Sequence, residues 1–247
     1  MSLSRGIFLK LRYNSRPFCR ETTILEDVIV KADFWHDRWE KNLTGFHLNE
    51  VNPYLKANWA SLNLNKGARV FVPLCGKTLD LIWLVEQGYQ VVGIELSPLA
   101  VKAFFAENNI TAEPHQIGEL KYWQSENITL FCGDFFTLTN EILGQVDAVY
   151  DRASLIALPP EMRQDYAVKL TQLAQSAPKL LVTLEYDQSK MDGPPFSVTE
   201  DEVKALYQAN YQVSQLSAQN VLGDNEKFRE KGLNYLNECI YKLTELS

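Results

Sequence analysis

Short apolar runs separated by longer amphipathic stretches dominate the chain between residues 69 and 186. The runs are mostly continuous rather than alternating, which is typical of strands buried on both faces of a parallel sheet. Five strands are predicted on this basis, at 69–73, 90–94, 128–132, 146–150 and 179–186. Helices are predicted between them, at 78–87, 97–108 and 160–176. Strands that alternate with helices indicate a doubly wound α/β sheet.

Segments on both sides of this region extend the pattern. Helical spacing of large apolar residues predicts a helix over 33–43, and Pro53 opens another. A rigid Gly-Pro-Pro-Phe loop at 193–196 is followed by a helix from Thr199 to about residue 209, with Glu202 completing a capping box. Two further strands are predicted near 211–217 and 236–243.

Composition narrows the class of protein. The 247 residues, 46% of them hydrophobic, suit one large domain, since no Pro/Gly/Ser-rich linker divides them. No apolar run reaches the roughly 18 residues of a membrane span. A net charge of −7 argues against a general nucleic-acid surface. The four cysteines form no CxxC, and the three histidines complete no zinc motif with them, so neither a metal site nor a disulfide framework is predicted, and a reducing cytoplasm fits best.

The first 20 residues differ from the rest in charge. They carry five basic residues and no acidic one, which is the composition of a transit peptide or of a non-native start upstream of the true one. We favour the second interpretation. The predicted organisation is therefore an N-terminal extension over 1–31 and one domain over 32–247.

The first strand runs into a tight turn, Pro-Leu-Cys-Gly-Lys over 73–77, and then a helix, as in nucleotide-binding sheets. Gly76-Lys77-Thr78 resembles the end of a phosphate-binding P-loop, but that motif requires a glycine where Phe71 stands. A dinucleotide-binding turn contains three glycines, whereas this turn contains one. In both interpretations, side chains would stand where the backbone must approach the phosphate groups. Neither interpretation is therefore favoured.

S-adenosylmethionine contains a ribose and an adenine but no phosphate. Gly76 allows one close approach of the backbone, and Glu95, nineteen residues later, ends the second strand, where a carboxylate accepts hydrogen bonds from ribose hydroxyls. Asp134 follows the third strand, where an acid accepts from the adenine amino group, and Phe135 provides an aromatic ring beside it. Asp151-Arg152 ends the fourth strand, either as cofactor contacts or as a simple salt bridge.

Several segments together resemble the thiopurine S-methyltransferases, and most closely their bacterial branch. They are Phe-Trp-His-Asp-Arg-Trp at 34–39, Gly-Phe-His at 45–47, Val-Pro-Leu-Cys-Gly-Lys at 72–77, Val-Val-Gly-Ile-Glu-Leu-Ser at 91–97, Val-Tyr-Asp-Arg-Ala at 149–153, Gly-Pro-Pro-Phe at 193–196 and Ile-Tyr-Lys-Leu-Thr at 240–244. The resemblance spans residues 32–247 in order. It implies a seven-stranded, mostly parallel, Rossmann-like sheet of the class I methyltransferase type, with its last strand antiparallel and N-terminal helices covering the cofactor.

The residues and the resemblance together give a set of expected site residues. Cofactor contacts are expected at Trp39, Leu74, Gly76, Glu95, Asp134, Phe135 and Arg152. Substrate contacts are expected at Phe46, Phe196 and Lys227. Arg152 is the expected catalytic residue, bridging cofactor and substrate electrostatically. Relatives often carry arginine where Lys227 stands, and the two side chains differ in geometry.

The implied activity is S-adenosylmethionine-dependent methylation of aromatic and heterocyclic thiols, with S-adenosylhomocysteine as the product. Bacterial members of the family are associated with methylation of selenium and tellurium species and with tellurite resistance, so the resemblance implies these acceptors as well. A monomer acting on small molecules, without nucleic-acid or membrane partners, is expected. Two alternatives stay open at this point: a protein that senses S-adenosylmethionine or scaffolds a partner without turnover, and an NAD(P)-linked oxidoreductase.

Overall fold

The computed structural model describes residues 32–246, and the proposed extension over 1–31 lies outside the described residues. The strands are β1 (Arg69–Val72), β2 (Gln90–Glu95), β3 (Pro114–Ile117), β4 (Leu120–Gln124), β5 (Ile128–Cys132), β6 (Ala148–Arg152), β7 (Lys179–Glu185), β8 (Tyr211–Asn220) and β9 (Asn237–Glu245). The helices are α1 (32–40), α2 (Pro53–Asn58), α3 (Asp80–Glu86), α4 (Pro98–Glu107), α5 (Asn140–Leu143), α6 (Pro160–Ala174), α7 (Glu200–Tyr207) and α8 (Glu226–Glu230).

The strands form one sheet in the order β3-β4-β5-β2-β1-β6-β7-β9-β8. Its centre, from β5 to β7, is parallel throughout. Strand β9 runs antiparallel between β7 and β8. This arrangement confirms the doubly wound class and the antiparallel last strand, and all seven predicted strands form.

Within residues 32–246 the sheet nevertheless has nine strands rather than seven. Strands β3 and β4 form an antiparallel hairpin that adds to the free edge of β5. The hairpin was not predicted because β3 is exposed at all four positions, so it lacks the apolar run that marks the buried strands. It extends the sheet on the side away from β6 and leaves the parallel centre unchanged.

Helices cover both faces of the sheet. Alternate residues of β1 point to opposite sides: Phe71 joins the hydrophobic cluster that includes Tyr166 and Leu170 of α6, whereas Val70 joins the cluster that includes Leu81 of α3 and Phe104 of α4. The parallel strands therefore end together at one edge, between the two layers. Ligands bind at this edge in open α/β sheets.

A buried carboxylate fixes the N-terminal segment to this framework. Asp80, 1% exposed at the start of α3, accepts a hydrogen bond from the backbone N–H of Asn52 at 2.7 Å and another from the hydroxyl of Tyr150 at 3.0 Å. The Asn52 side chain in turn caps α2. These bonds hold α2 and the loop before it close to the ends of β1 and β6. Between residues 32 and 246 no helix is long and apolar enough to cross a membrane.

Candidate cofactor and acceptor site

The turn after β1 has a conformation that brings its backbone to the edge of the sheet. Leu74 and Gly76 both have positive φ angles, 47° and 55°. The N–H of Cys75 donates to the carbonyl of Ile94 at 3.0 Å, which ties the turn to β2. A Cβ at Gly76 would lie 3.3 Å from Cζ2 of Trp39, so glycine permits the indole to lie directly over the backbone.

Glu95 is the anionic centre of the site. Its carboxylate, at the end of β2, is 7% exposed and accepts from the N–H of Gly76 at 2.9 Å and from the N–H of Ser97 at 2.8 Å. Burial raises the pKa of Glu95 above its ordinary value, while these backbone bonds and a side-chain hydrogen bond from Trp39 oppose that rise. Backbone N–H groups and the Trp39 indole therefore hold the carboxylate at this edge of the sheet.

Aromatic side chains from α1 and the loop after it cover this carboxylate. The rings of Trp39 and Phe46 meet edge to face with centroids 5.5 Å apart, and those of Trp35 and Phe46 do so at 5.7 Å. All three side chains are partly buried. Such pairs add about 0.5–1.5 kcal/mol each to the burial of their surface. The structure therefore brings Trp39, Phe46, Gly76 and Glu95 together.

The loop after β5 lies next to Glu95 because the N–H of Gly133 donates to the Glu95 carbonyl at 3.0 Å. Asp134 accepts from the N–H of Phe136 at 2.9 Å and so caps the short helical turn that follows. Phe135 is 5% exposed, and its ring packs 4.9 Å from that of Tyr166 in the core. Phe135 thus forms a packed wall of the core rather than an exposed ring.

Asp151 and Arg152, at the end of β6, have different partners. Asp151 is 1% exposed and accepts from the hydroxyl of Tyr166 at 2.8 Å, and burial raises its pKa to about 6. Arg152 is partly buried. Burial raises the pKa of Glu238 in β9, and the positive charge of Arg152 lowers it. Consecutive strand residues point to opposite faces, so Arg152 lies on the other face of the sheet from the buried Asp151, at the carboxyl end of β6.

The two other expected substrate residues lie on separate elements of the chain. The N–H of Phe196 donates to the carbonyl of Ile156 at 2.7 Å, and its ring lies 5.7 Å from the guanidinium of Arg163. A Cβ at Gly193 would lie 2.5 Å from that ring, so the Gly-Pro-Pro-Phe loop folds tightly onto it. Lys227 is exposed on α8, a helix whose Phe228 packs against a small separate cluster.

Two residues of the site had no role assigned from the sequence. Asp80 holds the N-terminal segment, as described above. His47 follows Phe46 and is partly buried; burial lowers its pKa, and the charges of Lys77 and Arg152 lower it further. The signal for His47 was its place in the Gly-Phe-His segment, although the segment alone does not show what faces the imidazole.

The fold has solved relatives. The chain resembles the 1,6-didemethyltoxoflavin-N1-methyltransferase of Burkholderia thailandensis, solved with bound S-adenosylhomocysteine, with a TM-score of 0.59 and 17% identity over 94% of this chain and 93% of that one. This likeness establishes the fold, and the Gly76–Glu95 hydrogen bond lies at the edge of that fold where the parallel strands end.

Comparison of sequences identifies the family. The Thiopurine S-methyltransferase (TPMT) family matches residues 30–246. Thiopurine S-methyltransferase of Pseudomonas aeruginosa (strain UCBPP-PA14) is 49% identical over 87% of this chain and 99% of its own length. That of Nitrosospira multiformis is 48% identical over 87% of this chain and 98% of its own length. The chain belongs to the thiopurine S-methyltransferase family.

Proposed function

We propose that the protein methylates the sulfur of aromatic and heterocyclic thiols of the thiopurine type, and that its acceptors extend to selenium and tellurium species derived from oxyanions. The observation that carries the proposal is the aromatic cover of Trp39 and Phe46 over the Gly76–Glu95 turn, because such walls suit a flat ring beside an onium methyl group. We further propose a cytoplasmic monomer whose catalytic domain comprises residues 32–247.

The described residues fit S-adenosylmethionine. Glu95 is a buried carboxylate at the end of β2, where a ribose hydroxyl can donate to it, and the Gly76 turn offers a close backbone approach. We assign the cofactor to Trp39, Leu74, Gly76, Glu95, Asp134, Phe135 and Arg152. Phe135 contributes through the packed wall it forms rather than by stacking. When bound, the cofactor supplies a methyl group that its sulfonium already activates.

The protein then has mainly to align the acceptor and to exclude water. Aromatic thiols ionise substantially near neutral pH, so a strong base is not required. Correct positioning contributes up to roughly 7–11 kcal/mol in the best intramolecular cases. Arg152, at the carboxyl end of β6, is placed to attract an anionic sulfur. Phe46 and Phe196 would form the walls of the acceptor pocket, with Lys227 at its outer margin.

A panel assay tests this function. The protein is supplied with S-adenosylmethionine labelled in its methyl group, and thiopurines, thiophenols, selenite and tellurite are compared as acceptors. We expect labelled thioethers from the aromatic thiols and labelled volatile products from the selenium and tellurium acceptors. Cofactor binding without transfer to any acceptor would favour a sensor or scaffold instead. Quenching of the tryptophan fluorescence by NAD(P)H would favour the oxidoreductase.

A further inference from the structure

We infer that Glu238 in β9 accepts a hydrogen bond from a ring N–H of the acceptor, and that it thereby favours thiols of nitrogen heterocycles over thiophenols. This inference rests on the proposed function, thiol methylation, and on Arg152 as the contact of the anionic sulfur. It adds a polar contact to the aromatic walls of the acceptor pocket, which hold a flat ring without distinguishing its atoms.

The strand order separates a cofactor side of the sheet from an acceptor side. Strand β1 lies between β2 and β6, and the chain passes to β2 first and returns to β6 later. The proposed ribose contact Glu95 ends β2, whereas Arg152 ends β6 and Glu238 lies in β9, beyond β6 and β7. Open α/β sheets bind ligands where the strand order reverses in this way. An acceptor that meets the cofactor at this point lies over β6, β7 and β9.

The strand register places Arg152 and Glu238 on the same face of the sheet. Arg152 pairs with Val182 of β7, and Val182 pairs with Ile240 of β9. Paired residues share a face, as do residues two positions apart, so Glu238 shares the face of Ile240. Strands lie about 4.8 Å apart and rise about 3.3 Å per residue, which separates the Cα atoms of Arg152 and Glu238 by roughly 12 Å. Two long side chains at this distance can contact opposite ends of one flat acceptor.

Helix α2 and the turn after it cover this face and hold the Glu238 side chain. The hydroxyl of Tyr54 donates to Oε1 of Gln219 at 3.4 Å, and Gln219 is the cross-strand partner of Glu238. A side-chain hydrogen bond also joins Tyr54 to Glu238 itself. Lys242, four residues further along β9, donates to the carbonyl of Ser61 at 2.7 Å. The carboxylate is therefore positioned from α2, while the nearest lysine of its own strand is engaged elsewhere.

Arg152 and Glu238 carry opposite charges but are not paired. Within residues 32–246, neither side chain takes part in an ion pair. Both are partly buried. A carboxylate that is partly withdrawn from water, and that has no cationic partner among the described residues, is stabilised by a ligand that donates a hydrogen bond to it.

Thiopurines and thiophenols differ in the donor that this carboxylate requires. A thiopurine keeps an N–H on its five-membered ring when the thioamide part of its six-membered ring ionises. It can therefore present an anionic sulfur to Arg152 and an N–H to Glu238. A thiophenolate has no N–H and leaves the carboxylate without a donor. A site that hydrogen-bonds an N–H group discriminates against an analogue that lacks it.

Substitution of Glu238 is the direct test. The transfer of labelled methyl to mercaptopurine and to thiophenol is measured as kcat/KM in the wild type and in Glu238→Met, since a thioether is only a weak acceptor. Mercaptopurine should lose roughly 10- to 100-fold, because a hydrogen bond to a charged group is removed. Thiophenol should react at least half as fast as in the wild type. The matched control is Glu245→Met, exposed at the other end of β9, which should change neither rate.

Mercaptopurines methylated on one ring nitrogen locate the contact. In the wild type, a derivative methylated on the five-membered ring should lose rate because its N–H is blocked, and in Glu238→Met the same methyl group should cost little. A methyl group that only clashes with the pocket costs the same in both proteins, so the comparison isolates the hydrogen bond.

Two further measurements guard against indirect effects. Glu238→Gln keeps a neutral acceptor oxygen, so the selective loss for mercaptopurine should appear there at about three- to tenfold. The affinity for S-adenosylhomocysteine, by calorimetry, should be unchanged in both variants, because β1, β6 and β7 separate β9 from β2. A loss of affinity that accounts for the loss of rate would show an effect through the cofactor, and the inference would be wrong.

Three other results overturn the inference. One is an equal loss for mercaptopurine and thiophenol, because that pattern describes a residue that only shapes the pocket. Another is a rate for mercaptopurine in Glu238→Met within twofold of the wild type. The third is a ring methyl group that costs the same in both proteins at every position. A wild-type protein that binds S-adenosylmethionine and methylates neither thiol overturns the proposed function itself, and the wild-type assay alone detects that failure.

Discussion

Replacing Glu95 by glutamine removes the negative charge of the site and keeps its shape. The native carboxylate accepts from two backbone N–H groups, those of Gly76 and Ser97, and is the proposed acceptor of the ribose hydroxyls. An amide has one oxygen and one NH₂ group. In Glu95→Gln, one backbone N–H therefore faces another donor, and the ribose meets a neutral partner.

The structure gives a magnitude for each effect. A hydrogen bond to a charged group is worth about 1.5–3 kcal/mol and a neutral one about 0.5–1.5, so two ribose bonds lose about 2 kcal/mol in total. This corresponds to roughly 30-fold weaker cofactor binding. The backbone N–H left without an acceptor in a site that is 7% exposed adds a separate loss of about 1–3 kcal/mol in the free energy of unfolding.

Calorimetric titration with S-adenosylhomocysteine at pH 7.5 measures the first effect, and urea unfolding of the cofactor-free protein measures the second. The control is Glu86→Gln, an exposed position in α3, where neither quantity should change. If Glu95→Gln binds the product within threefold of the wild type, the carboxylate does not hold the ribose, and the assignment of Glu95 is wrong.

Three more predictions follow from the same geometry. Arg152→Ala should lower kcat/KM for thiols at least tenfold in the labelled-methyl assay while the protein still folds, because Arg152 is the proposed contact of the anionic sulfur. Binding of S-adenosylhomocysteine should slow hydrogen exchange over 33–47, and Trp39→Ala should reduce that protection, because the indole covers Gly76. Burial lowers the pKa of Lys179 from 10.5 to about 7. Between these values the unfolded chain binds more protons than the folded one, so wild-type stability should rise by up to about 1.4 kcal/mol per pH unit; urea unfolding at pH 7.5 and 9 should show this rise, and Lys179→Met should lack it.

Elements with strong apolar periodicity were predictable from the sequence. Buried parallel strands such as β1 and β2 have continuous apolar centres with polar residues only at their ends, and this pattern follows from burial on both faces of the sheet. The first residues of helices were predictable as well, because their capping bonds join residues close in sequence. Ser97 accepts from the N–H of Ala100, and Thr199 accepts from the N–H of Glu202. These signals involve residues within a few positions of one another, and a sequence displays them directly.

Contacts between distant segments were not predictable in the same way. The exposed β3 has no apolar pattern, and only its pairing with β4 makes it a strand. Phe135 was expected beside the adenine, but whether its ring faces a ligand or Tyr166 depends on how α6 packs. The partners of Asp151 were left open for the same reason, since Tyr166 lies on a different element. Each of these features is decided by packing between elements.

The turn after β1 shows why the missing glycines exclude a phosphate. Pro73 has no N–H, and its carbonyl accepts from the hydroxyl of Ser154 at 3.0 Å. The N–H of Gly76, which would face a pyrophosphate in a dinucleotide site, donates instead to Glu95. The turn therefore presents a buried carboxylate rather than unpaired backbone donors. A negative group at this point repels phosphate and attracts hydroxyl donors and a sulfonium, which is the chemistry of a methyltransferase cofactor.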